Sequence, residues 1–159
     1  MKWFLILIIL FLTSCTPNLE DEKIIYENFI NELKSTPINQ VNEDMPFTIN
    51  VYFEQIIDNE IVYRVIIDEP KMVIKNIKAI AIHNYKTNNI YPTVGIFEEP
   101  LHLDPNYINL EDNYVGGVVL VGYIPFIGSI NDFSDAVKVL VEYQDQNNII
   151  HKVVSVHYN

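Results

Sequence analysis

The chain reads as a mainly β protein: an antiparallel β-sandwich of about seven strands preceded by one N-terminal amphipathic helix. Three observations lead there. Beyond the first apolar run, apolar residues recur with a helical period only at residues 19–35. From Phe47 onward the period falls to two. The period-two segments are joined by turns rich in Asn, Asp, Gly and Pro, with no helical crossover between them. Side chains share a face every third or fourth position on a helix and every second position on a strand, so the change of period marks the change of element.

The N-terminus comes first. Lys2 precedes an unbroken apolar run over residues 3–12, and Leu12, Thr13 and Ser14 lead into Cys15, the one cysteine of the chain. A spanning helix needs about 20 apolar residues, and a run of ten closed by Thr13, Ser14 and Pro17 falls short of that. A positive start, a short apolar stretch and small residues before a cleavage point fit a removed segment. The stretch resembles the type II signal peptides of bacterial lipoproteins, with Leu12, Thr13 and Ser14 as the recognition residues. The resemblance implies transfer of a diacylglyceryl group to the Cys15 thiol and cleavage just before it, which makes residues 1–14 the signal peptide. The expected location is outside the cytoplasm, lipid-anchored, on the outer face of a plasma membrane in preference to an outer membrane. Two acyl chains, at ~0.8 kcal/mol per buried methylene, hold such an anchor.

Residues 15–46 are then the lipidated cysteine, the helix and a linker, and residues 47–159 the sandwich, a length suited to one domain. With Cys15 taken by lipid no disulfide is available, so packing must hold the fold. The chain carries 10 Lys and Arg against 21 Asp and Glu, a net charge of −11. That balance excludes nucleic acid, whose binding rests on neutralising phosphates, and electrostatic attachment to anionic lipid.

In the helix, Asn18 is placed as the cap, Glu20, Asp21 and Glu22 put negative charge in the first turn, and Lys34 lies near the end, all complementing the macrodipole. Ile25, Phe29 and Leu33, with Tyr26 and Ile30 beside them, form one apolar stripe. The stripe is expected to pack on the domain itself or to serve a spacer, with partner binding as the alternative. Pro37 ends the helix, and residues 36–46 are a linker.

Phe47, Ile49, Val51 and Phe53 alternate with polar or aromatic neighbours in a first strand, and residues 61–68 resume the pattern. A three-residue loop, residues 58–60, pairs Phe53 with Val65 and Val51 with Ile67 and keeps the apolar set on one face. Residues 77–84 make a third strand, apolar on both faces and hence central or covered by the helix. Residues 90–97, interrupted by Pro92 and Gly95, hold one irregular edge strand, and residues 98–113 are loop-rich. Residues 115–124 form the most apolar strand, expected in the middle of a sheet, with Gly116, Gly117 and Gly122 allowing a bulge or close backbone approach. After a loop at 125–135, strands at 136–144 and 149–158 form a hairpin. An even loop through Gln146 and Asn147 aligns Val137, Val139, Val141 and Tyr143 with Ile150, Val154 and Val156. In architecture alone this resembles immunoglobulin and fibronectin type III sandwiches, and architecture assigns no function.

No catalytic, metal or cofactor site is legible. Ser129 lacks the Gly-x-Ser-x-Gly elbow, and Gly116 and Gly117 have neither a following helix nor a lysine to cradle phosphate. The pairs Glu98 with Glu99 and Glu111 with Asp112 read as solvated loop charges. His151 and His157 are expected on one outward face of the last strand, roughly 20 Å apart at ~3.3 Å per residue, too far to hold one ion, and His83 and His102 come from other segments. The tract with Asp104, Asn106, Asn109, Glu111 and Asp112 lacks the order of a calcium loop. Ten tyrosines leave a sugar platform open, with Tyr52, Tyr63 and Glu54 close on adjacent strands. The expectation is a non-catalytic binding or interaction module of the cell envelope. Its partners are the membrane, through lipid on Cys15, and another envelope protein. The alternatives are an envelope hydrolase with a loop-built site and a glycan-binding module.

Overall fold

A computed structural model describes residues 19–37, 45–106 and 113–159. Leu12 to Cys15, Asn18, most of the linker, and the Asn109, Glu111 and Asp112 part of the acidic tract lie outside the described residues. The elements run α1 (Leu19–Ser35), β1 (Thr48–Ile57), β2 (Glu60–Asp68), β3 (Ile74–Ile82), β4 (Thr93–Val94), β5 (Leu101–Leu103), β6 (Tyr114–Val115), β7 (Val118–Pro125), a 3-10 turn at Ile130–Asp132, β8 (Ala136–Gln144) and β9 (Ile150–Tyr158).

Two sheets face each other. One has the order β1-β2-β7, the other β6-β5-β3-β8-β9, and β4 pairs with β3 beside β5. Every pairing is antiparallel except that of β5 with β6. Strands one, two and seven against three, eight and nine make the partition of an immunoglobulin-like sandwich, as expected from the alternation. The strand count exceeds seven because the irregular stretches contribute three short strands, β4, β5 and β6. The inner faces interdigitate: Ile61, Tyr63, Val65 and Ile67 of β2 lie over Ile77, Ala79 and Ala81 of β3 and Val137, Val139 and Val141 of β8, all fully buried. Each large aliphatic side chain so buried contributes about 1.5–3 kcal/mol.

The stripe of α1 covers the outer face of the larger sheet. Phe29 and Leu33 pack with Ile80, Ile82, Ile96 and Leu140 in a second apolar cluster. That is why β3 is apolar on both sides: one face meets the opposite sheet and the other meets the helix. Two lysines of the sheet fasten the helix. Lys138 of β8, itself buried, donates to the carbonyl oxygens of Leu33 at 3.1 Å and Thr36 at 2.9 Å, closing the C-terminal carbonyls that have no partner within the helix. Lys152 of β9 bonds Glu32 at 2.8 Å and lies 5.0 Å from the centre of the Phe29 ring. The cation that ends this helix is therefore Lys138 from a strand, while Lys34 is exposed.

Three expectations are corrected. The first hairpin turns through a two-residue loop, Asp58 and Asn59, and a bulge between Gln55 and Ile57 then restores the parity. Phe53 therefore faces Tyr63, and Val51 faces Val65, two residues from the expected register. The second hairpin has an odd loop, not an even one. Asp145 and Ile149 flank residues 146–148, Asn148 takes a left-handed φ of 61° and donates to the Asp145 carbonyl, and Oδ1 of Asp145 accepts from the N–H groups of Asn147 and Ile149. This is a type I turn closed by a left-handed residue, a conformation asparagine tolerates. It sets Tyr143 against His151 and Val137 against His157, so both histidines lie on the inter-sheet side of β9 and not on its outward face. Finally, β7 lies at the rim of its sheet, not in the middle. Its side chains alternate between buried and exposed, and Val119, Val121 and Tyr123 look outward, 56%, 40% and 46% exposed.

Two packing predictions follow from this arrangement. Replacing Lys138 with Met should lower unfolding stability by about 1–3 kcal/mol in urea titrations, because a buried and a half-buried carbonyl lose a charged donor, whereas Lys34→Ala should stay within about 0.5 kcal/mol. At Gly122 an added Cβ would meet Cζ of Tyr63 at 2.1 Å. Gly122→Ala is expected to cost about 1–3 kcal/mol through overpacking, and the cost should shrink in a Tyr63→Leu background. Additive effects of the two substitutions would contradict the contact.

Candidate functional site

One end of the sandwich gathers the β1–β2 turn, the segment from His83 to Pro92 and the loop after β7. Gln55 clamps that loop, donating to the Gly128 carbonyl at 2.7 Å and accepting from the Ile130 N–H at 2.8 Å. Asn84 is held by both carboxylate oxygens of Asp135, and Phe53, Phe126, Phe133 and Tyr85 stack edge to face or tilted beneath. These contacts fix the His83–Pro92 segment as one wall of a cleft of about 330 Å³. The other wall is β7, with Val121, Gly122 and Tyr123, and the rings of Tyr63 and Tyr91 complete it. None of its ten lining residues is Asp, Glu, Lys or Arg. The volume falls in the range of small-molecule clefts, and apolar walls are mixed with a few polar groups.

His83 is its most distinctive member. The ring is 4% exposed and makes T-shaped contacts with Tyr63 at 5.9 Å and Tyr91 at 5.2 Å between centres. Its Nδ1 is the one buried side-chain nitrogen or oxygen among the described residues without a hydrogen-bond partner. Burial lowers the imidazole pKa, against the opposing pull of the Asp135 charge and the backbone carbonyls of Tyr123 and Tyr85, so the ring is neutral at pH 7. Tyr91 donates from its hydroxyl to the His83 carbonyl at 3.3 Å, and its own N–H bonds the Tyr26 hydroxyl of α1 at 2.9 Å. The helix thus supports the rear of the cleft. Burial likewise raises the Tyr63 pKa, so its hydroxyl stays protonated and donates to the Ala81 carbonyl at 3.1 Å.

The remaining candidates serve the fold. Ser155 hydrogen-bonds His157, but the serine is 3% exposed and faces the inter-sheet core, where no substrate reaches its hydroxyl. His151 meets Asp145 at 3.2 Å and stacks on Tyr143, while the same carboxylate closes the hairpin turn; the Ile149 N–H above all, and His151 after it, hold it below the usual carboxylate range. The Nδ1 of His102 accepts from the Asn76 N–H. Among the described residues no three His, Cys, Asp or Glu side chains come together to hold a metal ion. Tyr52 and Tyr63, neighbours in sequence pattern, point to opposite sides of their sheet, since Tyr63 is buried and Tyr52 is 56% exposed. The sequence signal for the cleft was weak: His83 and Tyr91 flank a polar turn, and only the fold brings β7 opposite them. Comparison of the chain with protein-family models, with curated proteins and with solved structures finds no match.

The buried histidines carry a pH dependence. His83 and His157 both have lowered pKa values in the folded chain. Above the unfolded value of about 6.5 they are neutral in both states; below it the unfolded chain gains protons that the folded chain resists, so stability falls with falling pH. Urea midpoints should be lower at about pH 5 than at about pH 7.5, and His83→Phe should flatten the difference. An unchanged slope in that variant would remove His83 from the account.

Proposed function

We propose that this chain is a lipid-anchored cell-envelope protein whose sandwich is a non-catalytic module binding another envelope protein. The reading rests on one observation, the apolar run that ends in Leu12, Thr13, Ser14 and Cys15 behind Lys2. It is supported by the position of the helix. Three residues separate Cys15 from Leu19, a tether of four residue steps and at most about 14 Å, and no helix of the described residues is long and apolar enough to cross a membrane. The helix ends over Lys138 at the start of β8, beside His83 and Tyr91. The cleft therefore stands along the helix from Tyr26, which bonds Tyr91, to Leu33, roughly 10–20 Å beyond the first helical residue. Such a module presents its binding end away from the bilayer.

The tyrosine-lined, uncharged cleft also favours a second reading, a glycan-binding module, because ring faces and the amide of Asn89 suit a neutral hydroxylated ligand.

Radioactive palmitate should label the wild type, which should enter the detergent phase on partitioning, and Cys15→Ala should abolish both. An unlabelled wild type in the aqueous phase would sink the anchor. A photo-reactive residue at Ile90, 75% exposed at the cleft rim, should give a discrete protein adduct in native membranes; no adduct there would count against protein binding at this end.

A further inference from the structure

Strand β7 is uncharged from Val118 to Pro125, yet it is paired on one side only. The bond from the Phe126 N–H to the Asn59 carbonyl, 3.1 Å, continues the β2–β7 ladder past the pair of Glu60 and Pro125. Residues that exchange hydrogen bonds alternate along an antiparallel ladder, so Val118, Leu120, Gly122 and Ile124 are the ones bonded to β2. The N–H and C=O groups of Val119, Val121 and Tyr123 then point to the free edge, and none of the loop and turn hydrogen bonds of the described residues reaches them. Of these groups the Tyr123 carbonyl is engaged by the His83 ring, which leaves its N–H and both groups of Val119 and Val121 at the edge.

The other two long rim strands are defended. β1 is bulged between Gln55 and Ile57 and carries Glu54, and β9 carries Lys152 on its outer face. Charges and bulges are the usual means of blocking strand addition. β7 has neither, and its register with β2 runs without a shift.

The cleft lies along this same edge, with Val121, Gly122 and Tyr123 on one side and Asn89 and Tyr91 on the other. A strand laid about 4.8 Å from β7 would enter it. Its alternate side chains would fall beside Val119, Val121 and Tyr123 on the outer face and over the Tyr63 and His83 rings on the inner one.

We infer that the free edge of β7 and the adjoining cleft receive an extended, uncharged polypeptide segment of a partner protein, added as a fourth strand to the β1-β2-β7 sheet. This rests on the binding-module reading and specifies what that module holds. Main-chain hydrogen bonds supply affinity in such additions, and pockets for alternate side chains supply selectivity. The segment is uncharged where it crosses the cleft, because none of the ten residues that line it carries a full charge and an unpaired buried charge is costly. Lys86 and Glu60 stand in the adjoining hollow at the Pro125 end of the edge. A second copy of this chain fits less well, since it brings a net charge of −11 against a surface of the same sign.

The test uses the full lipidated protein in detergent micelles, with a dye-labelled, end-blocked octapeptide of alternating Thr and Val as the probe strand. Saturable binding in fluorescence anisotropy is expected, weakened about tenfold or more when alternate amides of the peptide are N-methylated. Val121→Pro removes a free-edge N–H without touching the β2 ladder, and should weaken binding to the same degree. Val119→Lys, at an exposed side chain, is the second variant and should do likewise with an unchanged melting temperature. No saturable binding, equal affinity for the N-methylated peptide, or full affinity in Val119→Lys would overturn the inference. So would a dimer in sedimentation that Val119→Lys dissociates, or binding of chitotriose in place of the peptide. An Ile90 membrane adduct that persists in Val119→Lys, with no peptide binding, would leave the binding module standing and remove its strand edge.

Discussion

Tyr63 lies across Gly122. The two face each other in the β2–β7 register, and the ring fills the space that any side chain at residue 122 would need. Its hydroxyl crosses the sandwich to the Ala81 carbonyl of β3, so one residue joins the inner face of one sheet to the backbone of the other. A slip of β7 by one residue would set Val121 or Tyr123 under the ring and turn the alternation of the strand inside out. Because the glycine is the only residue of β7 that fits there, the contact fixes the register. The register in turn decides which backbone groups pair with β2 and which are left at the rim. The same ring forms part of the cleft, so the packing and the cleft share one side chain.

The second constraint is electrostatic. A chain with 21 acidic residues and 10 basic ones has few cations to place, and two of them hold α1 to the sheet. Lys138 is buried at the helix C-terminus, where unpaired carbonyls and the negative end of the macrodipole stabilise a positive charge. Lys152 stands between Glu32 and Glu142; burial alone would lower its pKa, and the two carboxylates raise it on balance. The helix is thereby a third layer of the fold, and through Tyr26 and Tyr91 its position is felt at the cleft. A chain anchored at Cys15 would hold its sandwich through this layer.

The helix, with its bounds, and the alternation of β1, β2 and β8 were legible because each buries one continuous face, and burial writes a period into the sequence. The double-sided apolar pattern of β3 was equally legible, as both of its faces are covered. What failed was register and rank. The bulge near Ile56 and the left-handed Asn148 each shift a strand without changing its composition, although Asp145 followed by Asn147 and Asn148 is a turn signal that favoured the odd loop. The placement of β7 misled for a different reason. Apolarity normally marks the middle of a sheet, and in β7 the residues Val119, Val121 and Tyr123 spend it on an exposed face. The cleft was legible only in its parts, since His83 and Gly122 are distant in sequence and meet through the sandwich topology.

Backbone geometry along β7 joins the fold to the proposed function, and native-state amide exchange reads it residue by residue. The account predicts alternation: the amides of Val118, Leu120, Gly122 and Ile124 protected by β2, and those of Val119, Val121 and Tyr123 exchanging far faster. Uniform protection along the strand, or protection of the second set in place of the first, would contradict both the register and the free edge.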